Sequence, residues 1–342
     1  MIKTPVKRLI LALKARIMES LPTQLKNKLR LASNYFYDYQ KFSKWSAASG
    51  NAQTQTHLKA LITMNYHCIE KGLALKEPRI GFGTAVIQSL LANLWKYHEN
   101  YGLDETGQIA LNNLFSYYNF NLQYGLKNEQ LYQELLALKE VSSTPILGSK
   151  SLGGVIEVTE EQILKAAKID FRAFAESRYS IRHFAPIDVD IHLIEQAIAM
   201  AQKTPSVCNR QASKVYVFTS DEDKKKVLAC QTGNRGFGEQ ASKVLIVTSE
   251  LQHFIHIGER NQGWIDGGMF AMSLVYALHS LGLGTCCLNW SVTYPEDQKL
   301  RQISGIKNSE VVIMMIAVGH LPEYLKVAQS PRKNLQEVMV LR

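Results

Sequence analysis

The sequence predicts an α+β protein in which a sheet covered by helices follows an all-α region. Three observations carry this. Residues 57–140 space their apolar residues helically and show no strand-like alternation. From Ser177 the texture changes to alternating helix and strand. Val311–Val318 is an unbroken apolar run of strand length, the pattern of a central strand. With 342 residues, 46% of them apolar, the chain has ordinary globular composition and length for one large domain or two smaller ones.

Residues 1–45 form a basic amphipathic segment. Its first helix ends at Pro22, with Val6, Leu9, Ile10, Leu13, Ile17 and Leu21 on one face. Ten Lys and Arg against Glu19 and Asp38 put +8 of the formal net charge of +9 here. The basic balance therefore describes a segment and does not imply a nucleic-acid surface. Two readings are open: a helix lying peripherally on an anionic membrane face, or one packed on protein.

A helical domain over 46–150 follows, with helices expected at 57–73, 84–100, 105–124 and 128–140. Gly72, Pro78, Gly81 and Gly83 break the chain between the first two. The turn-rich stretch 141–155 marks the boundary to a third domain, 151–342. There Thr159 and Gln162 have capping-box spacing for a helix running to about Glu176. Helices are expected at 189–203, 221–230 and 266–281, the last apolar nearly all round. Strands are expected at 214–219, 243–248, 285–288 and 311–318. The run Lys224–Lys226 reads as a solvated face, and Asp266 as an N-cap.

Five cysteines (Cys68, Cys208, Cys230, Cys286 and Cys287) include no CxxC pair, and the adjacent two would strain a bridge. Reduced thiols and a cytoplasmic chain are expected. No apolar run approaches the roughly 20 residues of a membrane span, and no signal-peptide pattern is visible. His253 and His256 lack a third ligand nearby, so no metal is expected.

Four segments carry groups suited to chemistry. Arg178-Tyr179-Ser180-Ile181-Arg182 puts two guanidiniums and a hydroxyl within five residues, fit for a phosphate or for a solvated turn. Thr204–Gln211 offers amide donors and acceptors from Asn209 and Gln211, as a planar heterocycle or an ordinary loop would use. Asp266-Gly267-Gly268 and Leu281–Cys287 allow close backbone approach. Pro331-Arg332-Lys333 is a further cation pair. His67, Glu70 and Lys71 share a helix face, as a lid contact or an intrahelical ion pair. Gly233–Gly238 has the wrong glycine spacing for a dinucleotide fingerprint. Trp264 and Trp290 read as packing residues, and Cys208 as a small buried or redox-sensitive thiol.

In this order and spacing the four segments resemble the nitroreductase family of flavoproteins. The carriers are R-Y-S-I-R-H-F at 178–184, T-P-S-V-C-N-R-Q at 204–211, D-G-G followed by L-G-L-G-T-C, and P-R-K at 331–333. The resemblance covers about residues 171–342 and implies a central mixed or antiparallel sheet. It implies that Arg178, Ser180 and Arg182 hold the phosphate and ribityl chain of FMN, with backbone contacts from Tyr179. Pro205, Ser206, Asn209 and Gln211 would meet the flavin across a homodimer interface. Cys287, Leu288 and Asn289 would pass along the ring, and Arg332 with Lys333 would complete the phosphate site. No catalytic acid or base is implied, because the cofactor carries the redox chemistry.

The implied activity is two-electron reduction of a small organic acceptor by NADH or NADPH. A different flavin reaction, or a flavin-binding scaffold or membrane-recruited module without turnover, are the alternatives. The family often has Gln-Pro-Trp where this chain has Gln211-Ala212-Ser213, so the usual aromatic at that edge is missing. His67–Leu73 and Pro78–Gly83 resemble a helical extension found on members linked to bacterial surface-polysaccharide loci.

Overall fold

A computed structural model describes residues 21–50, 54–142 and 153–342. The expected helix up to Pro22 lies outside them except for its last two residues, and most of the 141–155 boundary also lies outside. The described chain opens with α1 (Thr23–Trp45), a helix entered through Pro22. Four helices follow: α2 (Gln55–Leu73), α3 (Thr84–Tyr101), α4 (Glu105–Gln123) and α5 (Glu129–Val141).

Each of α2, α4 and α5 starts at a polar cap. Thr54 forms a reciprocal box with His57, Asp104 accepts from Thr106 N, and Asn128 accepts from Leu131 N. Their apolar faces meet in one core in which Ile62, Leu90, Leu114 and Leu135 are fully buried. Each such side chain contributes about 1.5–3 kcal/mol. The α2–α3 break has a packing reason: a Cβ at Gly72 would lie 2.1 Å from the Phe82 ring.

Gly154 N donates to Asn113 Oδ1 at 2.9 Å, so the chain leaving the helical region is pinned to α4. The single helix expected from Thr159 to Glu176 is two, α6 (Glu160–Ala167) and α7 (Phe171–Glu176). The Thr159–Gln162 box forms, but Asp170 caps a new start by accepting from Ala173 N at 2.9 Å, and the chain turns at 168–170.

Then come α8 (Ile191–Ala201), β1 (Ser213–Phe218), α9 (Asp221–Leu228), β2 (Lys243–Glu250), α10 (Gln262–Ser280), β3 (Leu283–Asn289), α11 (Tyr294–Ser304) and β4 (Glu310–His320). The four strands form an antiparallel sheet in the order β1-β2-β4-β3. Alternation along β2 decides the layers. Val244 and Ile246 face a core with α9 and α11, while Leu245 and Val247 face α8 and α10. A register shift at Val247/Thr248 leaves Ile313 as an extra residue of β4. Its side chain presses on α10 at Gly267, where a Cβ would sit 2.5 Å away.

Candidate functional site

The first part of the site lies at the β3 edge. Ser180 forms a parallel bridge with Thr285, and Ile181 N donates to Thr285 O at 2.8 Å. The Arg178–Arg182 segment is thus pinned at one bridge beside β3, next to Cys286 and Cys287. Burial raises the Cys286 thiol, and the nearby Arg182 and Arg178 charges oppose that shift. Neither guanidinium pairs with a carboxylate among the described residues; Arg182 stands 6.0 Å from the Phe237 ring centre instead. Gln231 Nε2 donates to Asn289 O at 3.2 Å, closing the far end of this edge. Phe237 and Gln231 went unnoticed in the sequence because nothing local marks them.

The second part is the Pro205–Gln211 loop at the opposite sheet edge. Cys208, Asn209 and Gln211 all adopt left-handed backbone, with φ of 48°, 53° and 50°. For non-glycine residues this costs on the order of 1–3 kcal/mol each and tends to mark functional loops. The surroundings enforce it. Gln211 N donates to Ser206 Oγ at 3.0 Å, and Val207 N donates to Asp266 Oδ2 at 3.1 Å. Asp266 is therefore not the N-cap expected: it lies one turn inside α10, is buried, and also accepts from Gln262 Nε2 at 2.7 Å.

Arg210, which the sequence did not single out, is buried and forks onto Glu259, with Nη1 to Oε2 at 3.2 Å and a closer Nη2–Oε1 contact. Helix α2 and the 251–254 turn stand behind this loop; Thr54 Oγ1 donates to Gln252 Oε1 at 2.6 Å. Within one chain the two parts do not meet. Ser213 and Thr285 are separated by three strand spacings and seven residues of register, about 25 Å.

Arg332 and Lys333 make only local contacts, to Ser330 O and, at 3.8 Å, to Glu337. They lie on an exposed tail whose Leu335, Val338, Val340 and Leu341 are uncovered. His67 and Glu70 form the intrahelical pair at 3.0 Å, and Asn113 Nδ2 adds a bond to Glu70 Oε1 at 3.1 Å. Lys224 is not solvated: it is buried and donates to Ala241 O and Ser242 O at 2.9 and 3.0 Å. No group of three metal-ligating side chains occurs among the described residues.

A third region was not foreseen. Helix α1 meets the start of α11, where Tyr37 OH donates to Asp297 Oδ2 at 2.6 Å, and the start of β4, where Lys41 Nζ donates to Glu310 O at 2.7 Å. Burial opposes ionisation of Asp297, but hydrogen bonds from Arg301 and the Lys41 charge hold its carboxyl below the usual range. Burial and the Arg301 charge bring Lys41 down to about 8.

The fold and the first two parts define an α+β domain with an anion-ready sheet edge and a strained loop. The donor set fits FMN. Two cations without carboxylate partners suit the phosphate, and the Ser180 hydroxyl with the open edge of β3 suits the polyol and ring. The nitroreductase family model matches residues 175–234 and 225–320. Residues 175–320 are thus similar to the nitroreductase family, and a helical region precedes them in the chain.

Among solved structures, an FMN-dependent nitroreductase from Clostridium difficile is 20% identical, with 49% of this chain and 98% of that one covered and a TM-score of 0.42. A nitroreductase family protein from Streptococcus pneumoniae is 19% identical, with 51% and 100% covered and a TM-score of 0.44. A nitroreductase-type protein from Desulfovibrio desulfuricans, solved with FMN, is 19% identical, with 51% and 98% covered and a TM-score of 0.45. No curated protein matches the chain.

Proposed function

We propose that the protein is a homodimeric FMN oxidoreductase that takes two electrons from NADH or NADPH and delivers them to a small organic acceptor. The observation that carries this is the pair Arg178 and Arg182, uncompensated by carboxylates among the described residues and set by the Ser180–Thr285 bridge beside Cys287–Asn289. Arg178, Ser180 and Arg182 would hold the phosphate and ribityl chain, with Tyr179 contributing backbone. Cys287, Leu288 and Asn289 would line the ring. Bound FMN would supply the two-electron relay between nicotinamide and acceptor.

Pro205, Ser206, Asn209 and Gln211 of a second copy would complete the pocket, and Arg332 and Lys333 would reach it from the tail. The diagonal separation of the two parts supports this sharing. So does the uncovered apolar surface: the tail, the α10 stripe Ile265, Met269 and Met272, and Ile163 and Leu164 of α6, which buries none of its residues. We place the domain boundaries at 45 and 150, with α1 fastened to the C-terminal domain.

Among the described residues no helix is long and apolar enough to cross a membrane. The exposed stripe Leu25, Leu29 and Phe36, flanked by Lys28 and Arg30, supports peripheral contact with an anionic surface. The likeness of the helical region to extensions found with surface-polysaccharide loci supports a role beside that metabolism.

The test is direct. Purified protein should be yellow, bleach anaerobically with NADH or NADPH, and regain colour with a quinone or nitroarene. Bound flavin that neither nicotinamide reduces would favour a scaffold or another flavin reaction, and protein that cannot take up FMN would refute the reading.

A further inference from the structure

The stretch Gly233–Gly238, which lacks the spacing of a dinucleotide fingerprint, stands at the flavin edge. It lies in the turn between α9 and β2, and its own groups brace it. Asn234 Nδ2 donates to Leu228 O at 2.9 Å, and Asn234 O accepts from Gly238 N at 2.8 Å. Gln231 Oε1 accepts from Gly233 N at 2.6 Å. Gly236, with φ of 83°, takes the left-handed backbone that sends the chain back just before Phe237. Phe237 is buried and shares a core with Ile181, Cys286 and Leu288.

From this turn two side chains reach two separate parts of the edge. Gln231 Nε2 donates to Asn289 O at 3.2 Å, and the Phe237 ring centre lies 6.0 Å from the guanidinium carbon of Arg182. Alternate residues of a strand present their backbone groups to the same side, so Thr285, Cys287 and Asn289 all open on the side away from β4. Ile181 N closes that side at Thr285 and Gln231 closes it at Asn289, with Cys287 between them. The turn therefore bounds the edge at one end and carries the ring beside Arg182.

Arg182 itself is exposed. A free arginine on a surface samples many rotamers, and a ligand that fixes it pays an entropic cost. A ring face within about 6 Å attracts a guanidinium. It does so without neutralising the charge, whereas a carboxylate would compete with an incoming phosphate for the same N–H groups. A buried ring braced from behind thus narrows the positions open to Arg182 and leaves its full charge to an anion.

We propose that Phe237 is a positioning residue of the cofactor site: its ring holds the Arg182 guanidinium ready for FMN, and the Gln231 anchor ties that ring to the strand that carries the flavin contacts. The inference rests on the flavin reading above. Phe237 touches no part of the cofactor in this scheme and acts through Arg182 alone.

The experiment is a double-mutant cycle on the full-length protein freed of flavin, each variant shown to be folded by circular dichroism. FMN is titrated and its dissociation constant read from the quenching of flavin fluorescence. Phe237→Met keeps the volume of the side chain and removes the ring face, and should weaken FMN about two- to fivefold. Phe237→Leu should do the same, so either variant serves if the other does not fold. In the Arg182→Gln background both substitutions should leave the dissociation constant where Arg182→Gln alone puts it. This coupling is the readout, because a merely structural loss would not depend on Arg182. An equal loss in both backgrounds, or unchanged FMN affinity in both Phe237 variants, would overturn the positioning role and leave the flavin reading standing. Arg182→Gln protein that binds FMN as the parent does would overturn the assignment of Arg182 and the positioning role with it.

Discussion

The Arg210–Glu259 pair fixes the most strained loop of the molecule, and breaking it should be felt both in stability and at the cofactor. Arg210 has 1% of its side chain exposed and Glu259 14%. Glu259 Oε2 also accepts from Ile255 N at 2.7 Å and His256 N at 3.0 Å. Replacing Arg210 by Met removes the guanidinium and leaves the carboxylate in its buried place. Losing one partner of a buried pair costs about 3–5 kcal/mol. The two remaining backbone donors and the residual exposure of Glu259 argue for the lower end, about 3 kcal/mol. For a domain of this size that lowers Tm by about 6–12 °C.

The loop would also be freed from its left-handed conformation at Cys208, Asn209 and Gln211, so FMN should dissociate more readily even though Arg210 is not assigned to touch it. Thermal melting with and without added FMN, and flavin release by ultrafiltration, measure both effects. Glu259→Gln should behave alike. The double variant Arg210→Met/Glu259→Gln should recover part of the loss, because no buried charge is left uncompensated. Single variants that melt within about 1 °C of the parent and hold FMN equally well would refute the reasoning.

Arg178→Ala and Arg182→Ala should each weaken FMN retention by on the order of tenfold or more, since charge-assisted bonds to phosphate are lost; unchanged flavin affinity in both would show that the cofactor lies elsewhere. His253, with a buried Nδ1 that finds no partner, is pushed down to about 4 by burial. Its folded value is depressed, so the neutral ring favours the fold above the free value near ~6.5, and that stability is lost as pH falls from there towards 4. Urea unfolding at pH 7 and pH 4.5 should show a loss of at most about 3 kcal/mol from this group. His253→Phe should shrink that loss, and an equal loss in the variant would remove His253 as its source. Leu25→Ser/Leu29→Ser should reduce salt-sensitive co-sedimentation with anionic liposomes; unaltered binding would exclude α1 as the contact.

How much of this could be seen in the sequence depended on the range of the interactions. Strands β1, β2 and β4 and helices α2 to α5 lie within about two residues of their expected limits, because periodicity and caps are local signals. The three-residue interruption at Lys168–Asp170 was missed because it turns on which of two good caps, Thr159 or Asp170, governs the second turn. Lys224 looked solvated because its acceptors, Ala241 O and Ser242 O, come from the approach to another strand.

Helix α1 was hidden by its charge. Tyr37 and Lys41 read as surface residues of a basic segment until Asp297 and Glu310, more than 250 residues away, are folded against them. Helix α11 carried legible signs, with Pro295 at its start, Glu296 and Asp297 in the first turn and Gly305 at its end, but no apolar stripe strong enough to draw notice. In the site, Arg178–Arg182 could be recognised because its groups are contiguous. Arg210 could not, since its role is set by Glu259 across a loop and a turn.

The helical region does more than precede the matched domain. Its α2 stands against the 207–209 turn and the 251–253 turn, and Thr54 both caps α2 and bonds Gln252. The Asn209 loop is therefore held from two sides, by Glu259 within its own domain and by α2 from the region outside it. If flavin is shared between copies, that loop faces the cofactor of the other subunit. A change in the α2 cap would then act on a neighbour's flavin through packing alone. Thr54→Ala costs about 0.5–2 kcal/mol as a cap, and it removes the Gln252 bond as well. A loss of FMN affinity larger than the loss of helix stability can account for would mean that the two regions work as one unit; a purely thermal effect would mean that the helical region is only a neighbour.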